Sequence, residues 1–315
     1  MTSRAETLGI VGASGFIGRE LARQASAAGW QVCGYTRKAK PPDAGVAEWR
    51  EWNEVPDFNG ISAVVNLAGE PINQRWTADA KRRFYDSRIG ATGRIVRGLS
   101  MLGRSERPHV LVNASAVGIY GERGDEILEE GSPTGTGYLA ELCQAWEDSA
   151  DGVARLGPRV LKWRTGLVLG REGEAFKKML LPFRLGLGGR LGSGKQWVPW
   201  IHVADLVGGI LHGIGYGGVT GPVNGSAPEP ERNEDFTRKL AAALQRPAAL
   251  AVPEFALRWM MGDFASAMVA SHRAVPRVLL ESGYKFRFPT LEMALGDLVG
   301  KEQASLSREE PSPRG

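Results

Sequence analysis

Seven residues constrain this chain more than any others: Gly12-Ala13-Ser14-Gly15-Phe16-Ile17-Gly18. A short apolar run, Leu8-Gly9-Ile10-Val11, precedes them, and apolar residues at helical spacing (Phe16, Ile17, Leu21, Ala25) follow as far as Gly29. Strand, glycine turn and helix in that order give each glycine a task. Gly12 permits the tight turn, Gly15 lets backbone approach a ligand, and Gly18 lets helix pack on strand. N–H groups at the helix N-terminus then face outward, toward a phosphate. A glycine-rich turn without a ligand is the bland alternative, and the flanking elements argue against it.

Further apolar runs at Gln31–Tyr35, Ala63–Leu67, His109–Asn113 and Val160–Trp163 alternate with helical patterns at Thr77–Met101 and Tyr138–Ala154. Such alternation predicts an α/β fold, a Rossmann-type doubly wound parallel sheet. Ligands of these sheets bind beyond the carboxyl ends of the strands. After Arg164 the pattern weakens. A glycine-rich stretch at 186–194 and proposed helices at Asp235–Leu244 and Phe255–Val269 suggest a smaller, mostly helical C-terminal lobe. We therefore expect a Rossmann domain over 1–170, with 203–226 returning to it, a substrate lobe over 171–300, and a disordered tail over 301–315.

At the end of the second strand an NAD-binding protein places a carboxylate on the ribose hydroxyls. This chain has Thr36, Arg37 and Lys38 there. A guanidinium can grip the 2′-phosphate of NADP as a charge-assisted fork, so NADP is the expected cofactor, against the plainer reading of a surface Arg-Lys pair.

Composition narrows the remaining classes. The 315 residues are 43% hydrophobic and 23% charged, near the globular average. Two distant cysteines and four scattered histidines give neither a disulfide framework nor a metal site. No apolar run is long enough to span a membrane, and no signal-peptide core follows the start. A cytoplasmic protein is expected. The net charge of +4 lacks aromatic interleaving or a recognition helix, so nucleic acid is not an expected partner.

Several motifs resemble the extended short-chain dehydrogenase/reductases: G-A-S-G-F-I-G, Asn66-Leu67-Ala68-Gly69, and N-A-S-A-V-G-I-Y-G at 113–121. Asp86-Ser87-Arg88-Ile89, Tyr138-Leu139-Ala140-Glu141-Leu142-Cys143 with Trp146-Glu147, Arg164–Gly170, Trp200–Asp205 and Phe286–Thr290 are similar to one atypical branch, the epimerase family proteins related to nucleoside-diphosphate-sugar epimerases. The resemblance implies NADP held by Gly12, Ser14, Gly15, Phe16, Ile17 and Gly18 at the pyrophosphate. It places Thr36, Arg37 and Lys38 at the adenosine end, and Leu67, Ala68 and Gly69 toward the nicotinamide. Ser115 falls at the catalytic serine. Relatives often dimerise, which leaves a homodimer open.

The superfamily's Tyr-x-x-x-Lys pair is absent, because no tyrosine here has lysine four residues on. Tyr138 stands at the expected helix start with Glu141 and Leu142 one turn later. A phenol without a cation is a poor base, so Tyr138 is a weakened acid or an aromatic packing residue, and Glu141 an acid/base only if desolvated. Further pocket candidates are Glu70, Arg164, Trp200 and His202. Arg164 would suit an acidic or phosphorylated substrate unless a local carboxylate pairs with it. Trp200 could stack a sugar-like ring, and His202 is either a titratable group or a structural one. Two functions remain: an NADP-dependent oxidoreductase or epimerase acting on a small carbonyl, hydroxyl or sugar-like compound, or a non-catalytic NADP(H)-binding sensor or scaffold.

Overall fold

A computed structural model describes residues 6–37 and 45–306, the last seven of these by backbone only. Lys38 lies outside the described residues. Seven parallel strands form the central sheet. β1 (Thr7–Val11), β2 (Gln31–Thr36), β3 (Glu48–Glu51), β4 (Ala63–Asn66) and β5 (Val110–Ala116) are joined by the strands Arg159–Thr165 and Gly221–Gly225. Their spatial order is Gly221–Gly225, Arg159–Thr165, β5, β4, β1, β2, β3. The order reverses at β1 and β4, which is where such sheets open a crevice for ligand. In register, Gly9 faces Cys33 and Val64, and Ser115 faces Arg164.

β1, β4 and β5 are buried almost throughout, which explains why they read as continuous apolar runs rather than alternating ones. Helix α1 (Phe16–Ala27) buries Gly18, Leu21, Ala22 and Ala25. The expected long helix over 77–101 is in fact three pieces. Thr77 caps α2 (Ala78–Tyr85) by accepting from the Ala80 N–H, a π-turn covers Asp86–Gly90, and α3 (Ala91–Ser100) follows. Helix α4 spans Tyr138–Ala154.

Helices α5 (Glu174–Arg184), α6 (Val203–Gly215) and α7 (Asn233–Leu244) follow, α6 leading into the last sheet strand. The expected helix over 255–269 is two, α8 (Glu254–Met261) and α9 (Phe264–Val269), because Gly262 takes φ +61° between them. Next come α10 (Arg277–Glu281) and α11 (Leu291–Leu306). The helix therefore runs beyond 300, where a disordered tail was expected to begin. Its buried Leu291, Ala294, Leu295 and Leu298 pack with Phe176, Phe236 and Leu240 in a second core. Among the described residues no helix is long and apolar enough to cross a membrane.

Candidate dinucleotide site

The glycine turn is shaped by what cannot fit in it. Gly12 has φ +86°, and a Cβ there would lie 3.1 Å from the Leu67 carbonyl carbon, so the turns after β1 and β4 lie against each other. The Gly15 N–H donates to the Gly12 carbonyl at 3.0 Å. A Cβ on Gly18 would come within 2.2 Å of the Gly12 oxygen and 2.8 Å of Ala13 Cα. Only glycine lets α1 start this close to β1. Gly15 caps α1 without a side-chain bond, and no acidic side chain stands in the first turn. The result is a backbone cradle with its N–H groups and helix dipole available to an anion.

Around that cradle, Ser14 is exposed and its carbonyl accepts from the Arg19 guanidinium at 2.9 Å. Ile17 packs on the main core. The Phe16 ring reaches the turn after the Leu167–Leu169 strand, where a Cβ on Gly170 would lie 2.4 Å from it. Thr36 ends β2, and Arg37 follows it as an exposed side chain.

After β4 the chain turns through Leu67, Ala68 and Gly69. Buried Asn66 fixes the turn: its side chain donates to Asn113 Oδ1 at 2.7 Å and accepts from the Ala68 N–H at 3.2 Å. Glu70 donates its N–H to Ser87 Oγ at 2.9 Å, while its carboxylate meets Gln74 at 3.3 Å and Arg83 at 3.5 Å. Arg88, on the π-turn, donates to the Glu70 carbonyl at 3.1 Å and lies over the Trp146 ring.

The proposed proton groups have different surroundings. Ser115 is 3% exposed and donates to Glu147 Oε1 at 2.7 Å. Glu147 in turn grips Arg164 through both oxygens, at 2.9 and 3.0 Å. Arg164 also donates to the Tyr120 hydroxyl and the Glu130 carbonyl, each at 3.0 Å. Burial alone would lower the Arg164 pKa, but the Glu147 carboxylate and Tyr120 hydroxyl hold it above its usual value. Tyr120 donates to Asn224 Oδ1 at 2.7 Å, and Glu130 Oε1 accepts from the backbone of Asn224 and Val278. Ser115 and Arg164 thus belong to a closed polar knot inside the protein. The carboxylate that sequence reasoning left open for Arg164 is Glu147.

Tyr138 is half-buried. Its hydroxyl donates to the Lys81 carbonyl at 3.2 Å, its ring meets Trp76 edge-on, and the Lys81 ammonium lies 4.9 Å from the ring centre. Burial raises its pKa, with Arg88 opposing. Leu142, where a lysine would complete the pair, is buried beside Trp76 and Phe84. Glu141 is exposed. Trp200 is fully buried with its indole N–H on the Glu229 carbonyl, so it presents no face to a ligand. His202 Nδ1 accepts from the Ala204 N–H at 3.1 Å and caps α6. Its ring packs on Phe288, Nε2 stands 3.5 Å from the Asp297 carboxylate, and burial lowers its pKa.

Two residues with evident roles were not singled out from the sequence, Glu147 and Arg88. Both lie inside the motifs Trp146-Glu147 and Asp86-Ser87-Arg88-Ile89, which were the available signal. Among the described residues no group of His, Cys, Asp or Glu is placed to hold a metal ion.

Parallel sheet, reversal point and glycine cradle define a dinucleotide-binding α/β protein of the Rossmann type. The chain belongs to the NAD-dependent epimerase/dehydratase family, which residues 8–219 match; residues 252–298 match a domain of unknown function, DUF1731. It is 38% identical over 299 residues to the chloroplastic epimerase family protein SDR39U1 homolog of Arabidopsis thaliana, covering 92% of this chain and 85% of that one. The epimerase family protein YfhF of Bacillus subtilis is 33% identical over 301 residues, covering 93% and 97%. The crystal structure of human epimerase family protein SDR39U1 with NADPH superposes with a TM-score of 0.85 at 32% identity, covering 93% of this chain and 99% of that one. A nucleoside-diphosphate sugar epimerase from Corynebacterium glutamicum gives 0.75 at 27%, covering 98% of this chain and 63% of that one.

Proposed function

We propose that this protein binds NADP(H) and acts as an oxidoreductase or epimerase on a small carbonyl, hydroxyl or sugar-like compound. The observation that carries the reading is the cradle at Gly18: a Cβ would fill it, and beside it the carboxyl end of β2 offers Arg37 where a carboxylate would favour NAD. The NADPH in the human relative supports the same choice. Gly12, Ser14, Gly15, Phe16, Ile17 and Gly18 hold the diphosphate, Thr36 and Arg37 the adenosine end, and Leu67, Ala68 and Gly69 the path to the nicotinamide. Bound NADPH supplies hydride. Tyr138 is the proton donor: its phenol is protonated at neutral pH in any case, and burial moves its pKa further up. Ser115, whose hydroxyl is spent on Glu147 inside the knot, has a structural task in this reading. Glu141, Trp200, His202 and Arg164 take no part.

A second reading, a non-catalytic NADP(H) sensor, has its own observation: Leu142 packs into an apolar cluster where a cation would activate Tyr138. Titrating NADPH and NADH separately, with tryptophan fluorescence as the signal, tests the shared part. Arg37→Ala should weaken NADPH by about tenfold, or about 1.4 kcal/mol, and leave NADH unchanged; an unaltered ratio removes Arg37 from the site. NADPH oxidation across a panel of carbonyl compounds then separates enzyme from sensor.

A further inference from the structure

Charged side chains withdrawn from water are paired or spend their donors on polar neighbours. Arg164 is neutralised by Glu147. Arg107 and Arg159 donate to backbone carbonyls, of Leu99, Leu102 and Leu156 and of Gly213 and Ile214, at the amino edge of the sheet. Arg88 differs in place. It projects from the π-turn to the carboxyl edge, against the turn after β4, where a Cβ on Gly69 would lie 3.2 Å from its guanidinium. Nη1 donates to the Phe84 carbonyl at 3.2 Å and Ser87 Oγ at 3.4 Å, and Nη2 to the Glu70 carbonyl. Among the described residues its Nε–H meets no acceptor and no carboxylate forms an ion pair with it. Glu70, whose charge acts on Arg88, gives its carboxylate to Arg83 and Gln74. The Trp146 ring, 5.1 Å away, backs the guanidinium from α4. Tyr138 and Cys143 are the other titratable groups facing it, and burial lowers the Arg88 pKa.

We propose that Arg88 recognises a carboxylate or phosphate group of the substrate, which makes a small acid the substrate class of this site. The inference rests on the dinucleotide reading above. The cofactor's own anions are served elsewhere, its diphosphate by the first turn of α1 and its 2′-phosphate by Arg37. The cation at the Gly69 turn is therefore left for a second molecule. A guanidinium offers such a group a charge-assisted donor in its plane, and Trp146 covers one of its faces. The acidic substrate that Arg164 suggested from sequence is thus reassigned to Arg88.

The test is calorimetric titration of NADPH-saturated protein with malonate, inorganic phosphate and neutral malonamide. Wild type should bind malonate or phosphate and not malonamide. Arg88→Met should weaken that binding by about tenfold or more, with NADPH affinity within about threefold of wild type. Arg88→Lys, charged but without the fork, should fall between. Binding of malonate alone marks a carboxylate substrate, and of phosphate alone a phosphorylated one. The proposal is overturned if neither anion binds wild type, if both bind Arg88→Met equally, or if Arg88→Met weakens NADPH by about tenfold, which assigns the cation to the dinucleotide. Should Arg88→Met not fold, phenylglyoxal labelling of the wild-type NADPH complex decides by mass spectrometry. Protection of Arg88 by malonate or phosphate supports the proposal, and its absence sinks it. Failure of wild type to bind NADPH is read in the separate fluorescence titration and removes only the cofactor reading, since anions can still be titrated into the unliganded protein.

Discussion

Two regions flank the carboxyl half of one sheet and are built in opposite ways. The glycine turn after β1 is made of backbone: its specificity lies in side chains that are absent, at Gly12, Gly15 and Gly18. The knot beneath β5 is made of polar side chains, the charged Glu147, Arg164 and Glu130 with the neutral Ser115, Tyr120 and Asn224, drawn from distant parts of the chain. The first leaves donors unsatisfied for a ligand. The second satisfies nearly all of its own and leaves a ligand little. A polar cluster near a cleft is therefore no sign of a binding site until its internal bonds have been traced.

Breaking the knot should have the largest effect. Glu147→Ala leaves the Arg164 guanidinium buried without a counter-charge, and the expected loss is about 3–5 kcal/mol in chemical denaturation. A loss below about 1 kcal/mol would mean that water reaches Arg164 and the knot is open.

Acid should probe the same interior. His272 lies just ahead of the Arg273–Ala274 strand that pairs with Ile127–Leu128, close to the knot. Burial pushes its pKa down to about 4, against about 6.5 in the unfolded chain. Between those values the unfolded state binds the extra proton, so the contribution is complete above about pH 6.5 and is lost as pH falls toward 4, by about 3 kcal/mol. Glu130, raised by burial, acts with the opposite sign, losing stability as pH rises through its folded pKa. Comparing wild type with His272→Gln between pH 7 and 4.5 isolates the histidine: the variant should lack that part of the slope.

The contrast also explains what could be read before the fold was known. The cradle occupies seven consecutive residues, and spacing alone assigns each glycine its task. Ser115 shows the limit. Its place at the end of β5 was legible, but whether its hydroxyl faces the cleft or Glu147 depends on helix α4, some thirty residues away in sequence. Arg164 and Glu147 meet only when the Arg159–Thr165 strand packs on α4. Trp200 and His202 are covered by side chains far along the chain, Trp200 by the cluster that includes Phe236 and Leu291 and His202 by Phe288. Arg88 is not legible in the sequence because a π-turn, which leaves no mark in a pattern of apolar residues, sets it against Gly69.

On the glycine side the effects should be smaller in stability and larger in ligand binding. Gly18→Ala places a methyl 2.2 Å from the Gly12 carbonyl, and α1 must move to admit it. The expected cost is about 2 kcal/mol of stability, together with loss of NADPH binding by at least about tenfold. An Ala variant that binds NADPH like wild type would show that the close approach of α1 to β1 is a packing device alone.

Tyr138 stands at the border of the two regions and gives the smallest and sharpest test. Its ring belongs to an aromatic cluster with Trp76, and its hydroxyl makes one bond, to the Lys81 carbonyl. Tyr138→Phe keeps the packing and removes that bond, so denaturation should show a loss of about 1 kcal/mol or less, with NADPH affinity unchanged. Oxidation of NADPH by a carbonyl compound should nonetheless fall by about a hundredfold, the usual worth of a positioned proton donor. If the Phe variant turns over like wild type, the phenol carries no proton in the reaction, and Tyr138 joins Ser115 and Arg164 as a residue whose polar atom serves the fold.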